Sequence, residues 1–220
     1  MPIVADGTAL RGVLAAALVL GAFALLGTTL VAATFVLTRD RIAENERALR
    51  LAGFNALLPP EHYDNVLAED SIEIVAAEFL GTTEPVRVYR AYKAGKPVAL
   101  LATPQAPDGY GGPIKLLIAV YADGTLAGVR VLAHQETPGL GDAIDVARSN
   151  WILGFSGKSL GKPPLERWTV KKDGGGFDQF TGATITPRAV VRATRRFLQF
   201  FKLNRERLFS SESTAATEAP

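Results

Sequence analysis

Cysteine is absent from the 220-residue chain, histidine occurs twice and methionine once. Without a thiol there is no disulfide, no thiolate-held iron–sulfur cluster and no cysteine nucleophile within the chain. His62 and His134 are too few for a histidine-rich metal site, so no metal centre is expected. The net charge of +2 is too small to point to nucleic acid on its own. Charge is missing altogether between Gly12 and Thr38. Carboxylates, hydroxyls, backbone amides or a bound cofactor are left to carry whatever chemistry occurs.

The uncharged run "GVLAAALVLGAFALLGTTLVAATFVLT" has the composition of a membrane span. A bilayer core of about 30 Å needs about 20 helical residues, so the run spans with some tilt. A signal peptide is the main rival, but its apolar region usually holds about 7 to 15 residues and ends at a small-residue cleavage site. The expected organisation is a short N-terminal segment (1–11), a transmembrane helix (12–38), a juxtamembrane helix (39–58) and one domain (59–203). A disordered, polar tail (204–220) completes it. Arg39, Arg41, Arg47 and Arg50 follow the span while Arg11 is nearly alone before it. The positive-inside rule by itself would keep the domain in the cytoplasm.

"RDRIAENERALRLAGFNALL" continues with helical spacing and stops before Pro59-Pro60. "SIEIVAA", "PVRVYRAY" and "KPVALLAT" read as strands, with "KAGK" as turn chemistry between the last two. "PIKLLIAVYADGTLAGVRVLAH" reads as a hairpin, Asp123-Gly124 supplying the positive backbone angles of its turn. "DAIDVARSNWILGF" has helical periodicity, and "RWTVKKD" reads as a further strand. Hairpins with segregated helices give an α+β class, not a doubly wound parallel sheet.

Two stretches carry candidate chemistry. In "FDQFTGATITPRAVV", Thr186-Pro187 reads as a helix start, with a capping hydroxyl and a proline at the first helical position. Val190, Val191, Thr194, Phe197, Leu198 and Phe201 share one face of that helix; Arg188, Arg192, Arg195, Arg196 and Lys202 share another. Its N-terminal amides and dipole suit a phosphate. Gly182 and Ala183 let a ligand approach the backbone, and Thr184 presents a hydroxyl beside it. On spacing alone, a capped helix with a tight entry turn is the stronger reading.

In "HQETPGLGD", Gly139 and Gly141 permit close approach, while Glu136 and Thr137 offer polar contacts to a flat heteroaromatic ligand. A Pro-Gly turn after a strand explains it as well, and His134 alone reads as a hydrogen-bonded structural histidine. "GLGDAI" lacks the third glycine of a dinucleotide fingerprint, and "FSGKS" has Ile152 where a P-loop needs glycine. The basic face of the last helix reads as solvated or facing lipid headgroups, with no nucleic acid as partner.

Taken together, the N-terminal span, "HQETPGLGD" and "WTVKKDGGGFDQFTGATITPRAVV" resemble the RnfG (RsxG) family, a component of the Rnf ion-translocating electron-transport complex. The likeness covers most of the chain and is densest from Pro113 to Phe201. It implies a transmembrane helix followed by one FMN-binding domain with antiparallel hairpins and segregated helices. It also implies FMN joined by a phosphoester to Thr184, the last hydroxyl of a D-x-x-[ST]-G-A-[ST] motif built here by Asp178, Thr181, Gly182 and Ala183. Thr186 lies outside that match and keeps a capping role. Glu136, Thr137, Gly139, Leu140 and Gly141 would line the flavin. Implied partners are the other subunits of the complex, membrane lipid and the flavin transferase that attaches the cofactor. The implied location is the bacterial inner membrane, single-pass, with the N-terminus cytoplasmic and the FMN domain periplasmic, against the arginine count.

The chain would then be an electron relay, not a whole enzyme, in a complex linking ferredoxin and NAD(H) to ion movement. The related C component of the sodium-pumping NADH:quinone reductase shares the Thr-Gly-Ala-Thr type of motif and is the nearest alternative. A membrane-anchored scaffold whose turn only caps a helix is the alternative outside redox chemistry.

Overall fold

The uncharged run from Gly12 to Thr38 lies on a helix in the computed structural model, which describes residues 7–210 and 217–218. Helix α1 (Gly7–Leu57) is continuous, so the membrane run and the expected juxtamembrane helix form one element. Its segment Arg11–Arg39 has a mean hydropathy of 2.3, long and apolar enough to cross a membrane, and its side chains are exposed. The chain divides into two compact units, Met1–Leu49 and Arg50–Pro220.

Within the second unit, short β-rich segments build one sheet. The strands are β1 (Ser71–Val75), β2 (Val86–Lys93), β3 (Lys96–Ala102), β4 (Gln105–Ala106), β5 (Ile114–Tyr121), β6 (Leu126–Ala133) and β7 (Thr217–Glu218). A short helix α2 (Ala77–Leu80) and a long helix α3 (Ile185–Phe209) complete the regular elements. Neighbours are antiparallel except β7, which runs parallel beside β1. β3 pairs Ala102 with Ile118 and β4 pairs Gln105 with Lys115 in the same register, so β4 prolongs β3 along one edge of β5. β6 occupies the other edge.

The two hairpins turn differently. Between β2 and β3, Ala94 (φ 50°) and Gly95 (φ 73°) both adopt positive angles, the mirrored turn that suits twisted strands. Between β5 and β6 only Gly124 (φ 91°) does so; Asp123 does not, and its Oδ1 accepts from the Thr125 amide instead. The expected Asp-Gly pair of positive angles is therefore one.

β5 is apolar at every position from Leu116 to Val120 because both of its faces are covered. Leu116, Ile118 and Val120 join Leu100, Val88 and Ile74 under α3, where Val190, Val191, Phe197, Leu198, Phe200 and Phe201 are buried. Leu117 and Ala119 face the other way, with Leu101, Tyr89 and the end of α1 at Phe54 and Leu57. A β-carbon on Gly128 would stand 2.7 Å from Leu57 Cδ2, so that glycine sets how closely the helix lies on the sheet. Each fully buried phenylalanine in α3 contributes about 1.5–3 kcal/mol of transfer free energy.

Helix α3 continues past Leu203 to Phe209 with Leu208 in the core, so residues 204–209 belong to the fold and not to a tail. The rest of the expected tail falls mainly on residues 211–216 and 219–220, outside the described residues. "DAIDVARSNWILGF" is two short 3-10 turns, Gly141–Ile144 and Trp151–Phe155, not an α-helix. Asp145 Oδ1 accepts from the Ala147 amide, and Ser149 Oγ donates to the Ala143 carbonyl while accepting from the Trp151 amide. These local bonds take groups a helix would have used. "RWTVKKD" is likewise no ladder strand: Val170 makes one bridge to Phe177, and Lys171–Asp173 form a 3-10 turn.

Candidate functional site

Aromatic packing fixes the approach to α3. Phe177 stacks on Phe155 with ring centroids 4.8 Å apart and lies 5.1 Å from Trp168, whose Nε1 donates to the carbonyls of Ser159 and Pro163. The Lys171 amide donates to the Phe177 carbonyl at 2.7 Å. A β-carbon on Gly175 would stand 1.8 Å from the Thr169 carbonyl oxygen, which explains the glycine-rich turn just before the motif. Trp151 then holds the motif itself: its Nε1 donates to the Asp178 carbonyl at 2.9 Å and its ring meets Phe180 edge-on at 5.2 Å. The chain closes a tight turn, Ala183 N–H to Phe180 carbonyl, with Gly182 at φ 81°, and delivers Thr184.

Thr184, not Thr186, occupies the N-cap position of α3, and its hydroxyl makes no capping bond. Thr186 is the second helical residue and Pro187 the third. The expected capping role of Thr186 is overturned by a stronger partner: its hydroxyl donates to Glu136 Oε2 at 2.5 Å, and the residue is 1% exposed. Pro187 is tolerated because the first-turn amides of a helix have no intrahelical acceptor in any case.

Glu136 is the hub of the site. It is 5% exposed, Oε1 accepts from the Gly111 amide at 3.1 Å, and its own amide donates to His134 Nδ1. His134 is thus a hydrogen-bonded structural residue. Glycines crowd the carboxyl group: a β-carbon on Gly141 would stand 2.6 Å from Oε2, and one on Gly109 would stand 2.8 Å from Oε1. Three segments distant in sequence therefore meet on one side chain.

The space beside it is a cavity of about 380 Å³ lined by Tyr110, Glu136, Thr137, Leu140, Gly141, Gly182, Ala183, Thr184, Ile185 and Thr186. That volume falls in the range of about 300–1,000 Å³ of small-molecule sites. Of the residues expected from sequence, Glu136, Thr137, Leu140, Gly141, Gly182, Ala183 and Thr184 come together here. Gly139, Asp178 and Thr181 do not line it; Gly139 makes the turn (φ 78°), and Asp178 faces out to an ion pair with Lys171. Tyr110 and Ile185 are lining residues that sequence reasoning misses. The loop "GYGG" around Tyr110 is the signal that finds the first, since glycines on both sides of one aromatic are what a tightly placed loop requires.

The basic side chains near the start of α3 are already engaged. Arg188 grips Asp173 with two bonds, Nε to Oδ2 at 2.6 Å and Nη2 to Oδ1 at 2.9 Å, and Arg192 pairs with Asp108. The Arg188 hydrogen bonds hold the Asp173 carboxyl below the usual carboxylate range, and Asp173 in turn raises Arg188. Burial lowers Arg196. A phosphate at this helix end would meet backbone amides and the helix dipole, with the guanidinium groups of Arg188 and Arg192 committed elsewhere. Phe200 and Phe201, which would have to be free for stacking on nucleic-acid bases, lie in the core.

The sequence matches two family models, "FMN-binding domain" over residues 109–199 and "RnfG N-terminal region" over residues 10–57. It is 50% identical over 213 residues to the G component of the ion-translocating oxidoreductase complex of Pseudomonas aeruginosa, covering 97% of this chain and all of that one. The corresponding protein of Shewanella loihica is 48% identical over 200 residues (91% of this chain, 94% of the relative). That of Vibrio cholerae is 46% identical over 191 residues (87% and 91%). With such likeness running end to end and the glycine-lined cavity inside the matched domain, the chain belongs to the RnfG family of ion-translocating oxidoreductase complex subunits.

Proposed function

We propose that this chain is the membrane-anchored flavoprotein subunit of an ion-translocating oxidoreductase complex, carrying FMN through a phosphoester to Thr184. The cofactor, when bound, supplies the one- and two-electron chemistry of flavins. The chain itself binds, orients and retains it. Membership of the RnfG family and an FMN-binding domain over residues 109–199 support the assignment to such a complex.

The observation that carries the choice of Thr184 is the division of labour between two neighbouring hydroxyls. Thr186 is buried and donates to Glu136, whereas Thr184 opens on the same cavity and makes no capping bond. Thr184 also stands at the N-cap, where the first-turn amides of α3 present a positive dipole end to a phosphate. Gly182, whose β-carbon would touch Leu140 Cδ2 at 3.4 Å, and Gly141 leave a cradle of bare backbone that larger residues would fill. This donor set suits a phosphate at the helix start and a flat ring against the loops.

Attachment by a separate flavin transferase, insertion in the inner membrane through Arg11–Arg39 and a periplasmic domain complete the reading. Other subunits and lipid are its partners. Within the complex the protein passes electrons between ferredoxin- or NAD(H)-linked partners. The intact mass of the full chain co-expressed with a flavin transferase tests the linkage. One FMN adduct is expected on the peptide containing Thr184 and none in Thr184→Ala. An adduct that persists in Thr184→Ala, or one mapped to Thr186, sinks the assignment.

A further inference from the structure

Tyr110 has no part in the packing of the fold. It is 69% exposed, belongs to no core cluster, and yet lines the cavity together with Leu140 and Gly182. The backbone on either side of it is held with unusual strictness. A β-carbon on Gly109 would stand 2.2 Å from the Gly112 carbonyl oxygen, and one on Gly111 would stand 1.9 Å from the Gln135 carbonyl oxygen. Gly112 adopts φ 127°, and the Gly111 amide donates to Glu136 Oε1, the same carboxyl that holds Thr186. A loop locked by three glycines and a buried carboxyl would be a poor use of restraint if its one large side chain only met water. An exposed aromatic is ordinary on a surface, but one that lines a cavity from a backbone held in place is a pre-placed contact.

We infer that Tyr110 is the aromatic contact for the ring system of the bound cofactor, set over the cavity by the Glu136–Gly111 bond. This rests on the FMN reading above. The ring would lie against the phenol and the apolar Leu140, while Thr184 holds the phosphate end. Offset stacking of aromatic faces adds to what buried area alone contributes. An electron-rich phenol in van der Waals contact with a flavin also quenches its emission, which gives a readout independent of activity.

The test uses the full-length protein in detergent, co-expressed with a flavin transferase. Wild type, Tyr110→Ala, Tyr110→Leu and Tyr110→Trp are each brought to known FMN content by mass spectrometry, and native flavin emission is divided by that content. Emission per flavin is expected to be several-fold higher in the alanine and leucine variants than in wild type, and to stay low in the tryptophan variant. All four become equally bright on denaturation. Should the alanine variant load poorly, the leucine variant decides. Equal native emission in wild type and either aliphatic variant overturns the assignment of Tyr110 while leaving the cofactor in place. Wild type without an FMN adduct overturns the cofactor reading instead, so the two failures are distinct.

Discussion

The hydroxyl of Thr186 donates to Oε2 of Glu136 across 2.5 Å, joining the start of the last helix to a loop fifty residues earlier in the chain. Both groups are buried, and the other oxygen of the same carboxyl is bonded to Gly111. One side chain therefore ties together three walls of the cavity.

Replacing Thr186 by valine keeps the shape and removes the donor, leaving a buried carboxyl oxygen without its partner. A loss of about 1–3 kcal/mol is expected, read as a lower urea midpoint at unchanged slope. On the proposed linkage, FMN attachment at Thr184 should survive the substitution. A Thr186→Val protein as stable as wild type would mean that the bond contributes nothing.

Gly111→Ala puts a methyl group where the Gln135 carbonyl oxygen lies, 1.9 Å from the ideal β-carbon. Backbone cannot yield as a flexible side chain does, so the loop must leave its place. Destabilisation of about 1–3 kcal/mol and a change in native flavin emission should appear together. Gly95→Ala serves as the control for a glycine with open space around it, although its positive φ carries a local cost.

Trp151→Phe retains a ring near Phe180 and deletes the Nε1 donor to the Asp178 carbonyl. The direct cost is about 0.5–1.5 kcal/mol. Because that bond anchors the turn that presents Thr184, the rate of FMN attachment, followed by mass against time, should fall more than stability does. An unchanged rate would separate the tryptophan from the motif.

The pH dependence of stability has two limbs with named sources. Asp173 has its folded pKa lowered by Arg188, so its contribution is present above the unfolded value of about 3.9 and is lost as pH falls through the folded value. Asp173→Asn should flatten that acid limb. Tyr92, whose hydroxyl donates to the Phe209 carbonyl, is raised chiefly by burial. Its contribution holds below the unfolded value of about 10 and is lost as pH rises through the folded one. Tyr92→Phe should flatten the alkaline limb, measured by urea unfolding at a series of pH values.

Much of the fold is legible in local pattern. The uncharged run, the strands around Ile74, Val88, Leu100 and Ile118 and the buried face of α3 follow from periodicity alone. What misleads is competition within short segments. Asp145 and Ser149 satisfy nearby backbone and halt a helix that periodicity predicts, and Val170 turns back to Phe177 within a glycine loop. Most of the cavity wall is legible too, as Glu136 to Gly141 beside Gly182 to Thr184. Tyr110 is legible only as an aromatic within a glycine-rich loop; its place at the cavity depends on the carboxyl of Glu136 reaching Gly111, which no local pattern states. Thr186 is misread for the same reason: a hydroxyl before proline suits a cap locally, and only a tertiary partner reassigns it.

In an extended chain Thr184 and Thr186 are nearly equivalent alcohols, separated by one isoleucine. The Glu136 contact makes them unlike, and it exists only once the sheet, the loop after β6 and the last helix have met. A transferase acting on the finished domain would meet one available alcohol at this helix start, whereas one acting on a nascent chain would meet two. Labelling confined to Thr184 would then report completed assembly, whereas flavin on Thr186 would mark a chain modified before the Glu136 contact had formed.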